Sequence, residues 1–174
     1  MLPAVAYDKV HYETQEKIKI KFEAMANILP VITLYQPWAT WIMREWKTIE
    51  TRTHNRFGCL LGKTILIHAG MNTDAAAINN LYLTKEQLMY EPDEVVNGFI
   101  LGSVFVKSFG KLSSIHSKKA LIECEKTERW GLYLSQIEKF KEPIPVKGEM
   151  GIWYFDMDKK EKVKKPKTET ILMF

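Results

Sequence analysis

Apolar and polar positions change period twice between Val31 and His54, and the rest of the chain is organised around that change. Val31 to Tyr35 is a β-type run. Pro37 follows, and its fixed φ and missing N–H suit the first position of a helix. Ala39, Ile42, Met43 and Trp46 then recur at i, i+3, i+4 and i+7, one apolar stripe on a short helix. From Lys47 onward the period is two. Thr48, Glu50, Arg52 and His54 share one face of an extended segment, and Ile49, Thr51 and Thr53 share the other. A strand, a helix and a second strand are expected in succession, with Lys47, Glu50 and Arg52 gathered at the last junction.

Before this stretch, Ile18, Phe22, Met25 and Leu29 fall at i, i+4, i+7 and i+11, the stripe of an amphipathic helix ending before Pro30. Lys17 to Phe22 also alternates like a strand, but the polar stretch from Asp8 to Lys17 has no Gly or Pro and favours the helix. After it, Asn55 to Gly62 reads as a turn region and Lys63 to Ala69 as a buried strand. Asn72 or Thr73 is expected to cap a helix containing Ala75 to Ile78, and Thr84 with Gln87 forms a capping-box pattern for another, which Pro92 ends. Asn97-Gly98 reads as a turn and Phe99 to Lys107 as a strand, with Gly102 where a backbone comes close. Ser108 to Lys126 reads as a loop with a short strand or helical turn around Ala120 to Cys124. Trp130 to Ile137 and Gly151 to Asp156 read as strands, and Pro143 and Pro145 argue against regular central pairing between them. Strands separated by turns, with helices inserted early, favour a closed or nearly closed barrel over a βαβ sheet.

Composition narrows the class. At 174 residues and 46% hydrophobic, the chain suffices for one domain with a core. No apolar run approaches the ~20 residues that span a bilayer, and no signal pattern opens the chain. Cys59 and Cys124 are solitary, which suggests reduced thiols in a cytoplasmic setting, or a nuclear one in a eukaryote. His11, His54, His68 and His116 are scattered without metal-ligand spacing, so neither a metal site nor a cofactor is expected. The stretch from Asp158 to Phe174 has six lysines against three acidic residues, which is +3 of the formal net +4. Such a tail can touch phosphates without regard to sequence, or simply be a solvated end.

Four motifs occur in order: Gln36-Pro37-Trp38-Ala39, then Lys47-Thr48-Ile49-Glu50-Thr51-Arg52, then Ile67-His68-Ala69, and Pro145-Val146-Lys147-Gly148-Glu149-Met150-Gly151-Ile152-Trp153. Together they resemble the ASCH domain, of the PUA-like group of small β-barrels, over about Leu29 to Asp156. The resemblance implies an α+β fold: a PUA-like small β-barrel over residues 29–157 with short helices inserted early. An N-terminal helical extension would occupy 1–28, and a basic, flexible tail 158–174. It also implies a cleft between barrel and early helices, with matching Lys, acidic or Thr, and Arg positions, proposed in that family to hold RNA or nucleotides.

On this view Gln36, Trp38, Lys47, Glu50, Arg52, His68 and Lys147 are the ligand-holding candidates. Lys47 and Arg52 offer donors to phosphate or a base carbonyl, Glu50 accepts from an exocyclic amine, and Trp38 stacks on a base. Structural roles compete at each position: Lys47 complements a helix C-terminus, Trp38 packs in the core, and His68 bonds to backbone within it. The partner would be RNA, a nucleotide or a modified nucleoside, and no membrane. Some small bacterial relatives are amidohydrolases acting on N4-acetylcytidine through a Lys, a Thr three residues later and a distant Glu. Lys47 matches the lysine, but the position three on is Glu50; Glu123, Glu125 and Glu128 are candidates for the third group. An enzymatic alternative is thus a metal-independent hydrolase, an amidohydrolase or ribonuclease, using Lys47 and Glu50. A third reading is a protein-interaction module working through the N-terminal helix or the basic tail.

Overall fold

The computed structural model of the chain describes residues 27–89, 96–126 and 128–166. The helix expected over residues 1–28 lies outside them except at its end, where Ile28 and Leu29 belong to a strand. Two compact units are present: Pro30–Trp153, and a smaller one to which residues 27–29 and 154–166 belong. Seven strands and three short helices occur among the described residues, in the order β1 (Ile28–Gln36), α1 (Trp38–Met43), β2 (Ile49–Arg52), β3 (Thr64–Thr73), α2 (Lys85–Leu88), β4 (Phe99–Lys111), α3 (Ser117–Ala120), β5 (Trp130–Pro145), β6 (Ile152–Asp156) and β7 (Glu161–Val163).

In the larger unit the strand order is β2-β5-β4-β3-β1. β1 and β3 run parallel, joined by a crossover through α1 and β2, while the other pairs of this order are antiparallel. The sheet is therefore mixed. No ladder among the described residues joins β2 back to β1, so these pairings do not close the expected barrel. β3 is buried on both faces at Ile65, Leu66 and Ile67, as a strand with covered neighbours must be. α1 is apolar nearly all round. Ala39, Ile42 and Met43 enter the main core with Ile32, Ile67 and Leu132, while Trp41 turns to a second cluster with Ala77 and Leu121.

Several local expectations shift for identifiable reasons. Asn72 and Thr73 extend β3, and the cap falls to Asp74, whose Oδ1 accepts from the Ala76 N–H (3.1 Å) at the start of a 3-10 turn over Ala75–Asn79. Thr84 and Gln87 do form the reciprocal capping box of α2. β4 runs four residues past Lys107, into the stretch expected as a loop. β5 continues through Pro143 to Pro145, still paired to β4. β2 reaches only Tyr133, so among the described residues no strand pairs with the other side of the later half of β5, where a residue without an N–H is tolerated. Gly102 sits at a register shift between β4 and β5, and a Cβ there would collide with the Glu138 carbonyl and with Met43 Sδ.

In the smaller unit β6 and β7 form an antiparallel hairpin. Asp156 Oδ1 accepts from the N–H groups of Asp158 and Lys159 (both 3.0 Å), and Asn27 Nδ2 donates to the Asp158 carboxylate (2.8 and 3.0 Å). The first residues of the stretch expected as a flexible tail are thus a turn and a strand.

Candidate functional site

Lys47 is placed by the way α1 ends. Glu45 adopts a left-handed conformation (φ 60), and the N–H groups of Trp46 and Lys47 both donate to the Trp41 carbonyl (3.0 and 3.1 Å). The chain then joins the sheet, with the Thr48 N–H on the Lys119 carbonyl (3.0 Å). This reversal turns the lysine inward until it is 2% exposed, the largest fully buried side chain described. Its Nζ donates to the Ile49 carbonyl (2.8 Å) and the Ala120 carbonyl (2.6 Å), and lies 3.6 Å from Glu50 Oε2. Burial pulls its pKa below the usual lysine value, and the Glu50 carboxylate opposes that pull.

The period-two pattern of β2 puts Glu50 and Arg52 on one face. Glu50 is 6% exposed, and Arg52 Nη2 lies 3.3 Å from Glu50 Oε1 without hydrogen-bond alignment. The guanidinium rests 4.3 Å above the Phe57 ring. Its Nε and Nη2 are buried and have no hydrogen-bond partner among the described residues. With Lys47 protonated, two cations flank one carboxylate in a poorly solvated wall. Such a cluster favours an added anion or carbonyl oxygen.

These three groups line a single cleft of about 880 Å3 within the larger unit, together with Trp38, His68 and Lys147. Trp38 is half-buried. Its Nε1 donates to Asp74 Oδ2 (3.0 Å), its ring meets Trp41 edge-on at 5.0 Å, and Lys47 Nζ lies 5.2 Å from its centre. His68 is 1% exposed, and its Nε2 is 3.0 Å from the Val146 carbonyl; that oxygen can only accept, so Nε2 carries the proton. Gly148 packs directly on this ring: a Cβ there would sit 2.5 Å from His68 Nδ1 and 2.9 Å from Thr33 Oγ1. Lys147 is exposed at the edge of the cleft, as are Tyr35, Met71 and Met150.

Gln36 is the candidate that does not line this cleft. It is fully buried, with Nε2 donating to the Val96 carbonyl (2.8 Å) and Oε1 accepting from the Thr40 N–H (3.1 Å). It spends its amide on starting α1, and so takes one of the N–H groups that an anion would otherwise have met there. None of Glu123, Glu125 and Glu128 lines the cleft; Glu128 instead pairs with Lys111 on the surface. Asp74 and Asn97 are among the lining residues that the sequence candidates did not include. Asp74 fixes Trp38, and its signal was an acid just before the alanine run. Asn97, read only as a turn residue, lines the cleft with its Oδ1 buried and without a hydrogen-bond partner among the described residues.

No protein-family profile matches the sequence, and no curated protein does. Among solved structures the chain is similar to ASCH from Zymomonas mobilis, at 16% identity and a TM-score of 0.45, over 67% of this chain and 72% of that one. Two mutant forms of that protein, each with a single substitution, match at 16% identity, with TM-scores of 0.43 and 0.44, over 67% of this chain and 74% and 73% of theirs. These structures bear the name of the domain that the four motifs resemble. Among the described residues no helix is long and apolar enough to cross a membrane.

Proposed function

We propose that the cleft holds one nucleotide unit of single-stranded RNA, or a free modified nucleoside, as a PUA-like ASCH domain would. The observation that carries this reading is Arg52, with two buried nitrogens unspent beside the carboxylate of Glu50. Donor and acceptor groups side by side in a dry wall suit the edge of a nucleobase. Arg52 gives to a ring carbonyl or phosphate oxygen, and Glu50 accepts a hydrogen bond from an exocyclic amine. Trp38 supplies a flat apolar surface, and base stacking on such a ring is worth ~1–3 kcal/mol. Lys147, on the rim, faces the charged backbone. The volume of about 880 Å3 falls in the ~300–1,000 Å3 range of small-molecule pockets and suits an unpaired base better than a duplex.

Lys47 has a different part from the one its charge suggests. Two backbone carbonyls take two of its protons and its charge pairs with Glu50 at 3.6 Å, so it positions the carboxylate and braces β2 against α3. The hydrolytic alternative retains one supporting observation, the lowered pKa of Lys47, which favours a neutral amine.

Equilibrium binding of single-stranded RNA, duplex RNA and single nucleosides tests the reading, with turnover of acylated cytidines and of RNA, with and without chelator, measured alongside. Single-stranded ligands should bind, and Arg52→Leu should weaken them by about tenfold or more, the loss of a hydrogen bond to a charged donor. Equal binding of duplex, or affinity indifferent to Arg52→Leu, would count against it. Turnover abolished by Lys47→Met with binding retained would favour the hydrolase.

A further inference from the structure

The main cleft offers more surface than a single base can cover. Its volume, about 880 Å3, stands at the upper end of the ~300–1,000 Å3 range of small-molecule pockets. Its lining also comes from both ends of the strand order of the larger unit. Glu50 and Arg52 belong to β2, at one end, while Thr33, Leu34 and Tyr35 belong to β1, at the other. The polar groups assigned to a base edge are therefore at the β2 end, and the β1 end has a different character.

There β1 and β3 lose register. From the Leu34–Ala69 pair to the Gln36–Thr73 pair, β3 advances four residues while β1 advances two, so Gly70, Met71 and Asn72 bulge opposite Tyr35. The bulge breaks the alternation of β3 and leaves Met71 75% exposed across from Tyr35, itself 54% exposed. Met150, 98% exposed, lines the same cleft from the loop that carries Lys147 and Gly148. Large apolar side chains exposed together around a polar cleft mark a surface that something covers. Met71 Sδ lies against the turn before β4, where a Cβ on Gly98 would be 3.2 Å away. The preceding residue, Asn97, lines the cleft with its Oδ1 buried and without a hydrogen-bond partner among the described residues.

We propose that Tyr35, Met71 and Met150 form a second subsite for the base of the adjoining nucleotide, so that the cleft takes a strand rather than a free nucleoside. The inference rests on the nucleotide reading of the cleft. A tyrosine ring gives a base a flat face, and flexible thioethers adapt to purine and pyrimidine alike. Lys147, exposed on the loop that also carries Met150, meets the phosphodiester between the two nucleotides. A cation beside apolar faces, continuous with the first site, complements a nucleotide better than it does an apolar peptide. Asn97 Oδ1 accepts from an amine of the second base or from a ribose 2′-hydroxyl.

The test compares binding of 5′-phosphorylated dinucleotides to the full chain with that of nucleoside 3′,5′-bisphosphates, which carry the second phosphate without the second base. Dinucleotides should bind about tenfold tighter. Tyr35→Ala and Met71→Ala, both changes to exposed side chains, should each bring the two affinities together, and Tyr35→Phe should restore the difference. Leu61→Ala, equally exposed but outside the cleft, should preserve it. Asn97→Leu should weaken ribodinucleotides. A loss confined to them identifies the 2′-hydroxyl as the donor, and a loss shared by deoxyribose forms identifies the base amine. Equal affinity for the two ligands in the parent, or a difference that survives Tyr35→Ala and Met71→Ala, would overturn the second subsite while leaving the first intact. Binding of neither ligand, or binding of both indifferent to Arg52→Leu, would overturn the nucleotide reading itself.

Discussion

Replacing Lys47 with methionine keeps much of the apolar stem of the side chain and removes its charge and three donors. The carbonyls of Ile49 and Ala120 lose their shared partner, and Glu50, 6% exposed, keeps only the misaligned Arg52 beside it. Breaking one side of a buried ion pair costs ~3–5 kcal/mol, because the other charge stays behind without compensation. Lys47→Met should therefore lower the unfolding free energy by ~3–5 kcal/mol in urea melts, as a shift of midpoint at constant m. A pH series sharpens the test. Burial holds the Lys47 pKa below its ordinary 10.5. Between the lowered value and 10.5 the unfolded chain binds more protons than the folded one, so stability contributed by this group rises with pH through that window. The variant lacks that rise, and the gap between the two proteins should widen as pH climbs toward 10.5. Tyr133, whose pKa burial raises, gives the opposite slope, but it is common to both proteins and cancels in the difference. A variant within ~1 kcal/mol of the parent, the range of exposed ion pairs, would refute the description of Lys47 as a buried member of an ion pair, and a gap that narrows with pH would refute the downward pull of burial on its pKa.

Gly148→Ala should cost ~1–3 kcal/mol in a thermal melt, since the new methyl collides with the His68 ring and with Thr33 Oγ1, and it should weaken ligand binding as the Val146–Gly148 wall retreats; an unchanged melting temperature would show the packing at His68 to be loose. Lys147→Ala should reduce affinity for single-stranded RNA evenly across sequences and make the salt dependence shallower by about one counterion. The same salt slope in parent and variant would show that this lysine meets no phosphate.

The centre of the cleft was legible because two periodicities meet there. A helical stripe ending at Trp46 and an alternating strand beginning at Lys47 leave Glu50 and Arg52 on one face, and the fold keeps them there, 3.3 Å apart. Lys47 was recognised as part of the cluster, but its satisfaction was not, since Ala120 lies 73 residues away and a backbone carbonyl has no signature in sequence. Gln36 misled for a similar reason. Its neighbours Tyr35 and Trp38 line the cleft, yet the amide is consumed by Val96 and Thr40. The long β5 escaped because proline is judged against a central strand, whereas here it falls where, among the described residues, only one side of the strand is paired. The parallel pairing of β1 with β3 follows from which strands neighbour one another in space, a long-range fact to which local period is blind.

The most direct measurement is a crystal of the full chain grown with a short single-stranded RNA and, separately, soaked with nucleosides. An unpaired base in the cleft is expected, with its edge within hydrogen-bond distance of Arg52 and Glu50 and its face toward Trp38. Nucleic acid lying only across the outer lysines, with Arg52 Nε and Nη2 still without a hydrogen-bond partner in an empty cleft, would contradict it.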